Sequence, residues 1–387
     1  MRKVYLDHTA TTPLDPRVFE AMKPYFEEKF GNASSIHQFG QQARAAVDEG
    51  RSTLAGIIGA KDGEIFFTSS GTESDNSALK GVAWAMRRRG KSHIITDKAE
   101  HHAVLEPCAF LEDQGFSVTY LNVDGSGMVN PDDVRRALTS ATGLISIIHA
   151  NNEVGTINKI AEIARIAGEH GILFHSDAIQ TFGKIPMDVY AIGIDLLSMS
   201  AHKIYGPKGI GAVYVRKGVE IERFMHGGGQ ERGRRAGTEA VPLIVGFAKA
   251  AQLMQEGMTP EWQRLASLKN LLRTMLETRF SFLIGNGHPS ESLPHLLSVS
   301  FDSTKVGIAG DELLLNLDLA GVAVTSGSAC TSGSMKPSHV LLAMGRDEKT
   351  AQATIRFSMG RSTTEEDINY TVDILEKVVG RIAKVPA

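Results

Sequence analysis

Ser198-Met-Ser-Ala-His-Lys-Ile-Tyr-Gly-Pro-Lys-Gly209 decides how the rest of the chain is read. The run Asp195-Leu-Leu-Ser-Met199 predicts a buried strand that delivers a Ser, a His and a Lys to its end, where Gly206 and Pro207 turn the chain. A lysine held at a strand end among polar groups suits covalent chemistry with an aldehyde. Partial desolvation lowers its basicity, and neighbouring donors hold its partner. A lone loop lysine carries no such meaning, so Lys203 depends on what stands at the other strand ends.

Those ends are polar too. The apolar runs Ile65–Thr68, His93–Thr96, Val118–Leu121, Leu144–Ile148, Ile172–Ser176, Leu196–Met199 and Gly211–Val215 alternate with helical patterns. Their continuous β-branched character predicts a mostly parallel α/β sheet covered by helices on both faces. Glu100-His-His102 follows one run, His149-Ala-Asn-Asn-Glu153 another, and His175-Ser-Asp177 with Gln180 a third; Ser200, His202 and Lys203 follow the fourth. Ligands of such sheets sit beyond the carboxyl ends of the strands.

Ser69-Ser-Gly-Thr-Glu-Ser74 links the strand Ile65–Thr68 to an amphipathic helix through Leu79, Val82 and Trp84. Small residues at a helix start leave backbone N–H groups free at the positive end of the dipole, which suits a phosphate. The chemistry of pyridoxal phosphate asks for a lysine and an acid. Lys203 can bond the aldehyde, and Asp177 can keep a pyridine nitrogen protonated so that the ring accepts electrons. An imidazole can stack on the ring, and Gln180 or Asn152 can hydrogen-bond its phenolic oxygen. The Ser-Gly-Thr start, with Ser200 and His202, can hold the phosphate.

The other segments follow in order. Asp7-His-Thr-Ala-Thr-Thr-Pro13 suits a turn and helix cap after an early strand at Val4–Leu6, and a helix is expected over about 41–58. Arg87-Arg-Arg89 before Gly90 marks a helix C-terminus rather than a nucleic-acid patch. The Gly/Arg stretch 226–238 suits anions, and a long helix over about 239–280 leads to a second domain with strands Leu296–Phe301 and Ile355–Ser358. Thr363-Thr-Glu-Glu366 reads as a capping box opening the final helix.

At 387 residues, 42% hydrophobic and 22% charged, the chain has the length and composition of a large core plus a smaller domain. A net charge of −3 offers no basic field for nucleic acid. No apolar run approaches 18 residues and the first residues lack a signal peptide's apolar stretch, which predicts a cytoplasmic chain with no membrane association. Two cysteines exclude a disulfide framework or a zinc cluster. Cys108 reads as a buried small hydrophobe. Cys330, in Thr325-Ser-Gly-Ser-Ala-Cys-Thr-Ser-Gly-Ser334, stands in a stretch too small and polar to pack a core, and so reads as an accessible thiol.

Tyr5-Leu-Asp7 with Ala10-Thr-Thr12, Ser70-Gly-Thr-Glu-Ser74, Glu100-His101, Asn151-Asn-Glu-Val-Gly155, His175-Ser-Asp-Ala-Ile-Gln180, Ser200-Ala-His-Lys203, Arg235-Ala-Gly-Thr238, Ser326-Gly-Ser-Ala-Cys330 and Ile355-Arg-Phe-Ser358 occur in one order along the chain. In this the chain resembles the cysteine desulfurases of the NifS/IscS group, among the class V aminotransferase-like, fold-type I pyridoxal-phosphate enzymes. The resemblance implies a large domain (16–255) with a mostly parallel seven-stranded sheet flanked by helices, and a smaller α+β domain (1–15 and 256–387). It implies that Lys203 bonds the cofactor, His101 stacks on its ring, Asp177 pairs with the ring nitrogen and Gln180 meets the phenolic oxygen. Thr72, Glu73 through its backbone, Ser200 and His202 would hold the phosphate, and Thr238 would reach the partner subunit's phosphate in a homodimer. Arg356 would grip the substrate carboxylate, with Asn152, Asn32 and His37 lining the substrate side.

The implied activity converts L-cysteine to L-alanine, with sulfur taken as a persulfide on Cys330 and passed to an iron–sulfur scaffold or another acceptor protein. No metal of its own is implied, although Cys330 could transiently share a cluster with a scaffold partner. A selenocysteine lyase, or a non-catalytic sulfur carrier or scaffold partner on the same fold, stands as the alternative. His8 and His102 receive no role.

Overall fold

The computed structural model describes residues 2–327 and 336–384. Among the described residues, twelve strands run in chain order as β1 (Val4–Tyr5), β2 (Ile65–Thr68), β3 (His93–Asp97), β4 (Ser117–Leu121), β5 (Thr142–Ser146), β6 (Leu173–Asp177), β7 (Leu196–Ser200), β8 (Gly211–Val215), β9 (Leu283–Asn286), β10 (Leu296–Phe301), β11 (Val322–Ala323) and β12 (Thr354–Ser358). Seven of them form one sheet in the order β2-β8-β7-β6-β5-β3-β4. The pairings among β7, β6, β5, β3 and β4 are parallel, and β8 runs antiparallel to both of its neighbours. The parallel strands therefore present their carboxyl ends along one edge. The register sets Asp177 of β6 opposite Ser198 of β7.

Most residues of these strands are buried on both faces, which is why their sequences are continuously apolar rather than alternating. One core lies around the helices Gln38–Ile57 and Ile160–Glu169, and another lies under Gly71–Arg87 and His102–Asp113. A separate core gathers β1, the antiparallel sheet β12-β10-β9, and the helices Gly310–Leu319 and Glu365–Ile382. The helix Val241–Arg279 joins the two regions. Its residues Val241 to Met254 pack into the first core, and Leu265 to Leu276 into the third. Among the described residues no helix is long and apolar enough to cross a membrane.

Three local expectations change. The helix expected from about 41 begins at Gln38, because His37 caps it by accepting the Gly40 N–H. The strand expected over Leu144–Ile148 lies at Thr142–Ser146, since the Ile148 N–H leaves the ladder for the buried Glu100 carboxylate at 2.6 Å. The final capping box is one residue later than expected: Thr364 caps the Asp367 N–H, and Asp367 answers to the Thr364 N–H.

Candidate active site at the strand ends

The parallel strand ends open onto a cavity of about 360 Å³. Ser70, Gly71 and Thr72 line one side, His101 and Asn152 another, and Asp177, Gln180, Ser200, His202 and Lys203 the floor. Thr9, Ala10, Thr325, Gly327 and Arg356 close it from the second region. The ends of five strands that are far apart in sequence, β2, β3, β5, β6 and β7, thus meet at one place. Cys330 lies outside the described residues, but Thr325 and Gly327 bring the chain to the cavity wall three residues before it.

Lys203 sits in a short helical turn, Ala201–Lys203, directly after β7. Its Nζ donates to the carbonyls of Thr9 at 2.8 Å and Ala10 at 2.7 Å. Burial lowers its basicity to about 8; the Arg356 charge adds to this, while Asp177 and Asp7 oppose it. A buried amine that is partly neutral near neutral pH is the nucleophile that aldehyde chemistry requires. Two residues on, Tyr205 stands at φ +64°, a conformation unusual for an aromatic residue. The Thr12 hydroxyl holds it at Tyr205 N, the Asp15 N–H at its carbonyl, and the Arg361 N–H at its phenol oxygen. The turn carrying Lys203 is therefore pinned from three directions.

Asp177 ends β6 and is 3% exposed. Burial raises its pKa, opposed by the Ile179 N–H, which donates to Oδ1 at 2.8 Å, and by the Lys203 charge. An uncompensated buried carboxylate calls for a cationic partner. His202 accepts or donates at Thr11 Oγ1, 3.2 Å away, and burial lowers its pKa to about 4, with Lys203, Lys208 and Lys184 contributing. His101 caps the helix His102–Asp113 by accepting the Ala103 N–H at Nδ1, which leaves the proton on Nε2. Its ring opens onto the cavity, and desolvation there, reinforced by Lys203, lowers its pKa to about 4. The adjacent His102 faces Glu106 and the His339 ring instead of the cavity.

β2 leads through Ser69 and Ser70 into the helix Gly71–Arg87, with Ser70 Oγ accepting the Glu73 N–H at 3.1 Å. That amide, expected at the phosphate, is committed to the cap, whereas Gly71 and Thr72 face the cavity. The Glu73 carboxylate turns away to Arg235 at 2.9 Å and to Ser69. This ion pair ties the Gly/Arg stretch to the helix start.

Arg356, in the middle of β12, is 5% exposed. Its Nη2 meets Asp7 Oδ1 and its Nη1 meets the Asn152 carbonyl, both at 2.9 Å. Asn32, His37 and Thr238 are not among the residues lining the cavity. The Asn32 side chain caps Ser34, His37 caps its helix, and Thr238 is exposed. Asp7, Thr9 and Ala10 read in the sequence only as part of a turn and cap, although Asp7 and Ala10 belong to the Tyr5-Leu-Asp7 and Ala10-Thr-Thr12 motifs.

The cavity suits a phosphorylated pyridine aldehyde. Ser200 Oγ and Gln180 Oε1 are buried with no hydrogen-bond partner among the described residues, beside a buried acid, an accessible imidazole face and a reactive lysine. This combination fits the aminotransferase-like enzymes of class V, and the sequence pattern described as Aminotransferase class-V matches residues 4–371. The chain belongs to that family and, within it, to the cysteine desulfurases of the IscS/NifS group. The "Cysteine desulfurase IscS" of Dictyoglomus turgidum is 53% identical over 384 residues, covering 99% of this chain and 96% of that one. A solved "NIFS-LIKE PROTEIN" superposes with a TM-score of 0.91 at 39% identity, covering 98% of this chain and 100% of the other. The structure of "SspA in complex with cysteine" has a TM-score of 0.81 at 39% identity, covering 92% and 99%.

Proposed function

We propose that the chain is an L-cysteine desulfurase that uses pyridoxal 5′-phosphate, forms alanine and collects sulfur on Cys330. The observation that carries this is the convergence of Lys203, Asp177, His101 and Arg356 on one cavity. When bound, the cofactor supplies a covalent anchor for the substrate amine and a ring that takes up electrons released at carbon. Gly71, Thr72, Ser200 and His202 would hold its phosphate, His101 its ring face, Asp177 its nitrogen and Gln180 its phenolic oxygen.

The chain's own residues do the rest. Arg356 receives the substrate carboxylate with a planar pair of donors and so orients the amino acid. Lys203, with its lowered basicity, takes a proton from the substrate carbon and returns one. The Cys330 thiolate attacks the substrate sulfur: an S–S bond forms, the C–S bond breaks, and the electron pair of that bond stays on carbon, which is protonated to alanine. No external oxidant is needed, because sulfur is oxidised as carbon is reduced. The persulfide then passes its outer sulfur to an acceptor protein in iron–sulfur cluster or related cofactor assembly. In a homodimer the exposed Thr238 would reach the partner subunit's phosphate, and Asn32 and His37 would lie on the substrate side.

The test is incubation of the purified, cofactor-loaded chain with L-cysteine and a reductant. Alanine and sulfide should appear in equal amounts. Sulfide released together with pyruvate and ammonia, with no alanine, would mark a different elimination and sink the proposal.

A further inference from the structure

Arg356 is nearly enclosed, and a guanidinium stays charged at any working pH. Left alone at 5% exposure it would be costly, and it would have several orientations to choose from. Asp7 supplies the counter-charge at 2.9 Å. Asp7 is itself held. It bridges to Ser358, two residues beyond Arg356, while its carbonyl accepts the Tyr5 hydroxyl at 3.0 Å and the Ala10 N–H at 3.1 Å. With the Asn152 carbonyl on Nη1 and Asp7 on Nη2, one hydrogen on each terminal nitrogen has no partner among the described residues, which is what a carboxylate takes from an arginine fork. Asp7 does not line the cavity, whereas Arg356 does.

We propose that Asp7 is a positioning residue for carboxylate recognition: it neutralises and turns Arg356 before the amino acid arrives, without touching the substrate. This rests on the desulfurase reading for the identity of the substrate. Most of the effect is orientation. The Asp7→Asn side chain can still accept the Nη2–H, so it keeps the fork in place, while Asp7→Ala frees it. Loss of a charge-assisted contact that orients a binding group corresponds to about tenfold in affinity.

The experiment compares wild type, Asp7→Ala and Asp7→Asn as cofactor-loaded protein, with melting temperature as the check on folding. It measures kcat and KM for L-cysteine, and by calorimetry the Kd of 3-mercaptopropionate, which keeps the carboxylate and lacks the amine. Asp7→Ala should raise both KM and Kd about tenfold with kcat within about twofold, and Asp7→Asn should restore both to within about threefold of wild type. An unchanged Kd in Asp7→Ala, or an Asp7→Asn variant as impaired as Asp7→Ala, would overturn the proposal. Wild-type protein that makes no alanine while the Kd series behaves as expected would count against the desulfurase reading alone.

Discussion

The Arg51 guanidinium and the Glu231 carboxylate form a two-point ion pair, 2.8 and 3.1 Å, with both side chains almost wholly out of solvent. Arg51 also donates to the Ile65 carbonyl, and Glu231 accepts the Phe67 N–H, so the pair locks β2 to the Gly/Arg stretch. Glu231 and Arg232 both have positive φ there, at 46° and 56°, conformations that need outside support. The pair holds the stretch that ends at Thr238.

Glu231→Gln should leave the Arg51 charge buried without its counter-charge and lower stability by about 3–5 kcal/mol. Denaturant unfolding of wild type and variant measures this. A loss below about 1 kcal/mol would mean that the pair is structurally dispensable.

The neutral amine of Lys203 is the form that bonds an aldehyde. With a pKa lowered to about 8, roughly a quarter of the chains carry it neutral at pH 7.5, against about one in a thousand for an ordinary lysine. Recombination of cofactor-free chain with pyridoxal phosphate should therefore speed up with pH and level off above about 8. A rate still climbing steeply at pH 10 would contradict the lowered basicity. The same shift has a sign for stability: the folded chain binds fewer protons than the unfolded one between about 8 and 10.5, so this residue's contribution rises with pH through that window.

Gly211 lies against the backbone of Ser70, where an added Cβ would come within 2.7 Å of the Ser70 carbonyl and 2.8 Å of Thr68 Oγ1. Neither can move without disturbing the turn that begins the helix Gly71–Arg87. Gly211→Ala should cost about 1–3 kcal/mol in stability and weaken retention of cofactor during dialysis. Undiminished retention would show that the turn has room to adjust.

Strands with continuous β-branched or apolar runs between turn residues were legible to the residue: Ile65–Thr68, Gly211–Val215 and Leu296–Phe301. That polar residues at the strand ends would meet at one cavity was legible for the same reason, because a polar group following a buried run has few places to go. Pairings across distant sequence were not. Asp7 and Arg356 are 349 positions apart, and Arg51 and Glu231 are 180 apart, with nothing local to join them. The Thr9 and Ala10 carbonyls that receive Lys203 are backbone atoms, which no residue type announces. The short strand β9 also escaped notice, since Leu283-Ile-Gly-Asn286 has only partly buried apolar residues and a central glycine.

Cys330→Ala tests the thiol's part. The variant should bind cofactor and L-cysteine normally, yet lose alanine formation by at least about 100-fold, because no thiolate remains to take the sulfur. Full alanine production by the variant would assign the nucleophile elsewhere.

In the proposed reaction, sulfur from cysteine becomes attached to this chain at Cys330. Wild-type protein treated with L-cysteine, alkylated, digested and weighed by mass spectrometry should yield the Cys330 peptide heavier by one sulfur atom, about 32 daltons, with the Cys108 peptide unchanged. An unmodified Cys330 peptide from a sample that has produced alanine would contradict the account.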